Sequence, residues 1–142
     1  MPRSARPRGG ALIVLDSWAL LAYLKDEDSA DRVEAAWLEE GATICSVNLG
    51  EVLYIRMRGD GEDSAVADVD RVRQRLDVVD PDWPLVSEAA RIKAHGGLSY
   101  ADAFCVATAR RADAPLWTGD PDIVDQAAEH SCTVVDLRVP DG

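Results

Sequence analysis

The chain has 142 residues, near the commonest size of one domain, and its 47% hydrophobic and 29% charged residues are typical of a globular protein. Its formal net charge is −11, from 15 basic and 26 acidic residues. This balance excludes a protein that holds nucleic acid through a broad basic face. Nucleic acid could be its substrate only if metal ions or a basic partner supplied positive charge.

The N-terminal segment is basic, with three arginines and no acid in its first ten residues. The apolar run ALIVL that follows ends at Asp16 and is too short for a signal peptide or a membrane span. We therefore expect a tail over residues 1–10, one domain over 11–142, no membrane association and a cytoplasmic location. The three cysteines show no C-x-x-C pair, so we expect buried, reduced thiols rather than disulfides or zinc ligands.

Apolar periodicity predicts alternating strands and helices along the chain. Short apolar runs predict five strands, at 11–16, 42–46, 76–80, 115–120 and 132–137. Helical spacing predicts helices at 17–26, 29–40, 47–58, 64–76, 84–95, 99–112 and 121–130, with a polar turn at 59–63. Because each strand is apolar on both faces, we expect an α/β fold with a parallel sheet covered by helices on both sides.

Acids at strand ends and helix starts are the first candidates for a site, since open parallel sheets bind ligands at the carboxyl ends of their strands. Each has an ordinary alternative role. Asp16 can cap the helix that follows it, and Asp120 stands before Pro121 in a typical helix start. Asp102 follows Ser99 in an S-x-x-D capping pattern.

Glu51 is harder to explain as a structural residue. It lies in an apolar helix, on the same side as Val47 and Ile55, and we expect Arg56 and Arg58 to lie off that face. A buried charge without a partner costs several kcal/mol, so such a residue is usually protonated, ion-paired or bound to metal. Four gathered carboxylates would stay ionised only around divalent cations, and oxygen ligands favour Mg²⁺ or Mn²⁺ over zinc. A pair of such ions can promote phosphodiester hydrolysis.

Four motifs in order make the chain resemble a PIN-domain ribonuclease, specifically the VapC-like toxins of toxin–antitoxin pairs. The motifs are LDSWALLAYL with Asp16, CSVNLGEVLY with Glu51, LSYADAFCVATAR with Asp102, and WTGDPDI with Asp120. The resemblance implies a three-layer fold with a five-stranded parallel sheet. It also implies two metal ions and endonucleolytic cleavage of RNA that leaves a 5′-phosphate and a 3′-hydroxyl.

The resemblance also assigns roles by position. Asp16 would bind or bridge the metals, Glu51 and Asp102 would complete the coordination, and Asp120 would hold the outer metal. Asp122 would assist through water. Small polar residues match positions near the family's site, although turn and cap roles explain them equally well: Ser17, Asn48 and Thr118.

The partners implied are an RNA substrate and a cognate VapB-like antitoxin, in a homodimer and a toxin–antitoxin hetero-oligomer. An antitoxin helix could lie on the first helices if their large apolar residues are partly exposed rather than core: Trp18, Leu21, Trp37 and Leu38. The basic residues available to hold RNA are sparse: Lys25, Lys93, Arg56, Arg58, Arg110, Arg111 and the N-terminal arginines. His95 and His130 are expected at the surface.

Other functions fit less well. A receiver domain needs a second acid beside Asp16, and a haloacid-dehalogenase-type phosphatase needs D-x-D there, but the chain has Ser17 and Trp18. A dinucleotide-binding module needs G-x-G-x-x-G between a strand and a helix, which the chain lacks. The alternatives that stay open are a housekeeping nuclease of the same fold and a catalytically inactive binding module.

Overall fold

One five-stranded sheet runs through the computed structural model, which describes residues 12–139. Its strands are β1 (Ile13–Leu15), β2 (Ala42–Cys45), β3 (Asp77–Val79), β4 (Leu116–Thr118) and β5 (Val134–Asp136). They lie in the order β3-β2-β1-β4-β5, and every neighbouring pair is parallel. The predicted α/β class with a five-stranded parallel sheet is confirmed; the predicted tail over residues 1–10 lies outside the described residues.

Helices connect the strands much as the periodicity predicts. They are α1 (Ser17–Leu24), α2 (Ala30–Glu40), α3 (Ser46–Asp60), α4 (Glu62–Arg73), α5 (Trp83–His95), α6 (Tyr100–Ala112) and α7 (Pro121–Gln126). The predicted polar turn is shorter than expected, because α3 continues to Asp60 and only Gly61, at φ +88°, breaks the helix before α4. The prediction of one helix over 121–130 is also wrong, since α7 gives way to a 3₁₀ helix at Ala127–His130.

The sheet separates two apolar cores, as expected for three layers. On one face, Val14 and Cys45 pack with α5 and with α6, whose residues 103–109 are all buried. On the other face, Leu15 and Ile44 pack with α1, α2, α3 and α4. Successive strand residues point to opposite faces, so these three- and four-residue strands contribute to both cores.

The cysteines and histidines differ in part from expectation. All three cysteines are free, and Cys45 and Cys105 are buried, but Cys132 is only partly buried. His95 is exposed and pairs with Glu129 at 2.8 Å. The expectation that His130 lies at the surface is wrong: it is 7% exposed and packs edge-on against the ring of His95, with centroids 5.2 Å apart.

The apolar residues of the first two helices divide between core and surface. Trp37 is 5% exposed, and its indole Nε1 donates to the carbonyl of Arg75 at 2.9 Å. Its neighbour Leu38 is 70% exposed, whereas Trp18 and Leu21 are half-buried. None of the helices between residues 12 and 139 combines the length and hydropathy of a membrane span.

This difference in burial predicts that substitutions at two adjacent positions change the stability by very different amounts. Trp37→Ala removes a buried ring and leaves a cavity, so we expect the free energy of unfolding to fall by about 3–5 kcal/mol. Leu38→Ala should change it by less than about 0.5 kcal/mol, because the side chain is largely in solvent already. Urea unfolding of both variants measures the effect, and a similar loss in the two would contradict this description of α2.

Candidate active site

The four predicted acids stand at the edge of the sheet where the strands end. Asp16 follows β1, and Asp120 lies two residues beyond β4, the neighbour of β1. Glu51 lies in the second turn of α3, and Asp102 lies in the first turn of α6. The side-chain amide of Asn48 donates to the Ala101 carbonyl at 2.9 Å, which ties the start of α3 to the start of α6. All four acids therefore lie at one edge of the sheet.

Asp16 is the most deeply buried of the acids, at 2% exposure. One carboxylate oxygen accepts a hydrogen bond from the Ala19 amide at 2.9 Å, which caps α1, and the other accepts from the Thr118 hydroxyl. The pKa of Asp16 is raised to about 7: burial is the main cause, the hydrogen bonds from Thr118 and Ala19 oppose the rise, and the charges of Asp120 and Asp102 contribute to it. Asp16 therefore caps α1, but capping does not explain why the carboxyl is so deeply buried and has a raised pKa.

Thr118 links Asp16 to Asp120. Its buried hydroxyl donates to Asp16 and accepts from the Asp120 amide at 2.9 Å. The next residue is Gly119, where a Cβ would lie 2.3 Å from the ring of Trp18. Glycine is needed at this position because the backbone of the turn after β4 approaches the indole so closely. The sequence identified Thr118 as a small polar neighbour but gave no sign of the Gly119 contact.

Asp102 is half-buried and lies close enough to Asp120 and Glu51 for their charges to affect its pKa. Its pKa is raised to about 6, mainly by burial and with contributions from the negative charges of Asp120 and Glu51, while hydrogen bonds from Ser99 oppose the rise. Its backbone amide donates to the Ser99 hydroxyl at 3.0 Å, so the predicted cap of α6 is present. Proximity to two other carboxylates distinguishes this residue from an ordinary helix-start aspartate.

The buried thiol of Cys105 lies beside the same group of acids. It is fully buried in the helix turn after Asp102, and its Sγ donates to the Asp102 carbonyl at 3.1 Å. Burial raises its pKa well above the usual range, and negative charge from Asp16, Asp102 and Glu51 contributes. A single core atom therefore experiences three of the four acids, although the sequence indicated only that this cysteine is apolar in setting.

Two buried oxygen atoms at the start of α3 lack hydrogen-bond partners among the described residues: Glu51 Oε1 and Asn48 Oδ1. A buried polar atom without a partner costs about 1–3 kcal/mol, so native structures usually satisfy it with a donor, a water or an ion. The two residues lie three positions apart on one side of α3, and the charge of Glu51 acts on Asp102 at the start of α6. Their two oxygen atoms are acceptors available to a bound cation or donor.

Ser17 and Asp122 lie at the margins of the site. Ser17 is half-buried at the first position of α1, and Asp122 is exposed in the first turn of α7. The Asp122 amide donates to the Asp120 carboxylate at 2.9 Å, completing the predicted cap. As the side chains stand, no three acids, histidines or cysteines among residues 12–139 lie close enough to hold one metal ion. The acids are electrostatic neighbours rather than a ready-made chelate.

A family model described as the PIN domain matches residues 13–129, a span that contains all four acids. No curated protein matches the sequence significantly.

Solved structures show the same fold at low sequence identity. One is VapC20 of Mycobacterium tuberculosis, described as a Sarcin-Ricin loop cleaving toxin: TM-score 0.65, 18% identity, covering 80% of this chain and 93% of that chain. Another is DNA-bound VapBC of Salmonella typhimurium, with a TM-score of 0.72 and 15% identity; the match covers 88% of this chain and 97% of that chain. A third is VapBC2 of Rickettsia felis, bound to a DNA fragment from its promoter: TM-score 0.71, 15% identity, covering 88% and 98%.

The raised pKa of Asp16 predicts a pH-dependent stability for the metal-free protein. A carboxyl whose pKa rises from 3.8 to about 7 on folding favours the fold when protonated, and this contribution is lost as the pH rises between those values. Asp16→Asn removes the ionisation while keeping a capping oxygen. We therefore expect the variant to be more stable than the wild type at about pH 8, by roughly 2–4 kcal/mol, and to lose this advantage near pH 4.

Urea unfolding in EDTA at both pH values measures the difference. A variant that unfolds more easily than the wild type at both would show that capping, not charge burial, dominates the energetics of Asp16.

Proposed function

The chain belongs to the PIN-domain family, and from this premise we propose that it is a Mg²⁺- or Mn²⁺-dependent endoribonuclease, a VapC-like toxin held inactive by a cognate antitoxin. One observation carries the proposal: the family match spans four acids at one sheet edge, and the charges of neighbours among them help to raise the pKa of Asp16 and of Asp102. Capping alone would also place Asp16, Asp102 and Asp120 at this edge, where their helices begin, but it does not account for Glu51 in the second turn of α3.

The donor set fits a hard divalent cation. Every candidate ligand is an oxygen atom, which favours Mg²⁺ or Mn²⁺ over zinc. Glu51 Oε1 has no hydrogen-bond partner among the described residues, and the pKa of Asp16 is high. Both features are expected of a cation-binding site when the cation is absent. We propose that Asp16, Glu51, Asp102 and Asp120 hold the metal, with Asp122 assisting through water and Ser17, Asn48 and Thr118 supporting the ligands.

A bound divalent ion would supply an activated water and charge neutralisation for hydrolysis of a phosphodiester bond, which leaves a 5′-phosphate and a 3′-hydroxyl. The residues of this chain would prepare that chemistry. The Thr118 hydroxyl orients the Asp16 carboxylate and, through its bond to the Asp120 amide, fixes the turn that carries the second acid. Helices α1, α3 and α6 all begin at this edge, so their positive dipole ends favour anionic groups there.

Two alternatives compete with the toxin proposal. A housekeeping nuclease of the same fold would use the same acids, and the toxin role is favoured because the similar solved structures include toxins and toxin–antitoxin complexes. An inactive binding module is disfavoured because all four acids are present and brought to one edge. RNA is the proposed substrate in either nuclease.

The proposed antitoxin partner follows from charge and from exposed apolar surface. With a net charge of −11 and an acidic site, the chain would attract a basic segment, and an arginine could pair with carboxylates that otherwise hold metal. On α2, the exposed Leu38 and, on α1, the half-buried Trp18 and Leu21 offer apolar contacts for an amphipathic helix. We propose a homodimer that assembles with this partner into a hetero-oligomer.

Metal removal and substitution at the site test the enzymatic proposal. RNA cleavage should disappear in EDTA and return with Mg²⁺ or Mn²⁺. Asp102→Asn should lower kcat/KM at least about 100-fold, because a neutral amide is a poorer ligand and cannot accept a proton. The matched control is Asp113→Asn, which changes an exposed aspartate at the other end of α6, in a left-handed conformation that asparagine also adopts.

Full RNase activity in chelator, together with tightly bound zinc recovered from the protein, would overturn the proposed dependence on Mg²⁺ or Mn²⁺. Equal losses in the Asp102 and Asp113 variants would point instead to damage of α6 as a whole.

Co-expression with the adjacent open reading frame tests the toxin assignment. We expect the chain alone to slow growth and generate new RNA 5′ ends, and the neighbour's product to form a stable complex that suppresses both. Neutralising the basic residues of that partner should restore cleavage, since inhibition is proposed to compete for the acidic site. A harmless wild-type chain that forms no such complex would favour a housekeeping nuclease.

A further inference from the structure

A tyrosine–arginine pair continues the line of Glu51 along α3 and is not explained by the core or by helix packing. The guanidinium carbon of Arg58 lies 5.0 Å from the centroid of the Tyr54 ring. Tyr54 is 46% exposed, and Arg58 is also exposed. The pair therefore presents an aromatic ring and a cation to solvent on the helix that carries one of the proposed metal ligands.

Helix geometry places this pair beside Glu51. α3 is continuous from Ser46 to Asp60, and at 3.6 residues per turn Arg58 stands only about 20° around the axis from Glu51, and Tyr54 about 60°. The expectation that Arg58 lies off the face of Glu51 is therefore wrong, because seven residues nearly complete two turns. Along the axis, Tyr54 and Arg58 lie roughly 4.5 and 10.5 Å beyond Glu51.

Arg56, on the same helix, has a structural role, in contrast to Arg58. Arg56 is mostly buried and binds Asp60 at 3.2 Å and Asp68 of α4 at 2.5 Å, so it joins the two helices. Arg58 has no carboxylate within ion-pair distance among residues 12–139; its described contact is the ring of Tyr54. Among residues 12–139, Arg58 is therefore an exposed cation that no carboxylate binds, about two turns beyond Glu51 on α3.

We propose that Tyr54 and Arg58 form the binding subsite for the nucleotides next to the scissile phosphate, and that the substrate is single-stranded there. This inference rests on the proposed ribonuclease function. An exposed aromatic face stacks on an unpaired base, while an arginine contributes to stacking and binds a phosphate. At roughly 4.5 and 10.5 Å beyond Glu51 along the axis of α3, the two side chains would meet nucleotides that flank the bound phosphate. Bases of a duplex are stacked on each other and cannot reach this ring.

The test measures binding of a short fluorescein-labelled oligouridylate by the full chain, with Ca²⁺ as the divalent ion to slow hydrolysis. The same strand annealed to oligoadenylate is the duplex comparison. The variants are Tyr54→Ala, Tyr54→Phe and Arg58→Gln, and the charge-matched control is Arg91→Gln, an exposed arginine on α5 across the sheet. Thermal unfolding of each variant checks that α3 is intact.

We expect Tyr54→Ala to weaken single-strand binding about tenfold, and Tyr54→Phe, which keeps the ring, to stay within about twofold of the wild type. Arg58→Gln should weaken binding and lower the slope of log Kd against log salt by about 0.7, the value for one phosphate contact on a single strand. Arg91→Gln should change neither quantity. With RNA that the wild type cleaves in Mg²⁺, Tyr54→Ala should raise KM and leave kcat nearly unchanged.

The outcomes separate this inference from the proposed function. If the wild type cleaves RNA but Tyr54→Ala and Arg58→Gln bind it normally, or if duplex binds as tightly as single strand, the subsite is overturned while the nuclease stands. The subsite is also overturned if the two variants affect only assembly with the co-expressed partner, since the pair then belongs to a protein interface. A wild type that neither binds nor cleaves RNA overturns the ribonuclease itself.

Discussion

The burial of one ionisable side chain organises the candidate site. Asp16 is almost inaccessible to solvent, yet both of its oxygens have partners, one from the first turn of α1 and one from Thr118 of β4. These bonds reduce the cost of burying the carboxylate but do not remove it, since its pKa still rises to about 7. The fold tolerates an expensive group at the centre of its sheet edge, a cost typically found where function requires it.

Much of this arrangement could be predicted from the sequence because it depends on local chemistry. Apolar runs of strand length and helical periodicity located the five strands and the helices between them, and parallel strands with common ends then placed Asp16 and Asp120 at one edge. Glu51 stood out because an acid on an apolar helix face conflicts with burial. Capping patterns located the starts of α6 and α7.

The parts that sequence could not predict depend on contacts between distant segments. His130 follows a polar stretch and is expected at the surface, but the 3₁₀ turn places it against His95 and away from solvent. The contact between Gly119 and Trp18 joins residues a hundred positions apart, and no periodicity reports it. The partnerless oxygens of Asn48 and Glu51 become visible only when the surroundings of each atom are known. Local patterns locate elements, whereas tertiary contacts decide which polar atoms are satisfied.

The bond from Asn48 to the Ala101 carbonyl has a mechanical consequence. The buried Leu49 and Val52 of α3 belong to the core on one face of the sheet and α6 to the core on the other, so Glu51 and Asp102 are carried by different layers. The distance between these two acids therefore depends on how the two helix layers pack against each other across the sheet. The Asn48 side-chain amide joins the two layers at this point. A core substitution that changes the packing volume within either layer would displace the acids relative to each other. It would alter the site although none of the site's own residues is changed.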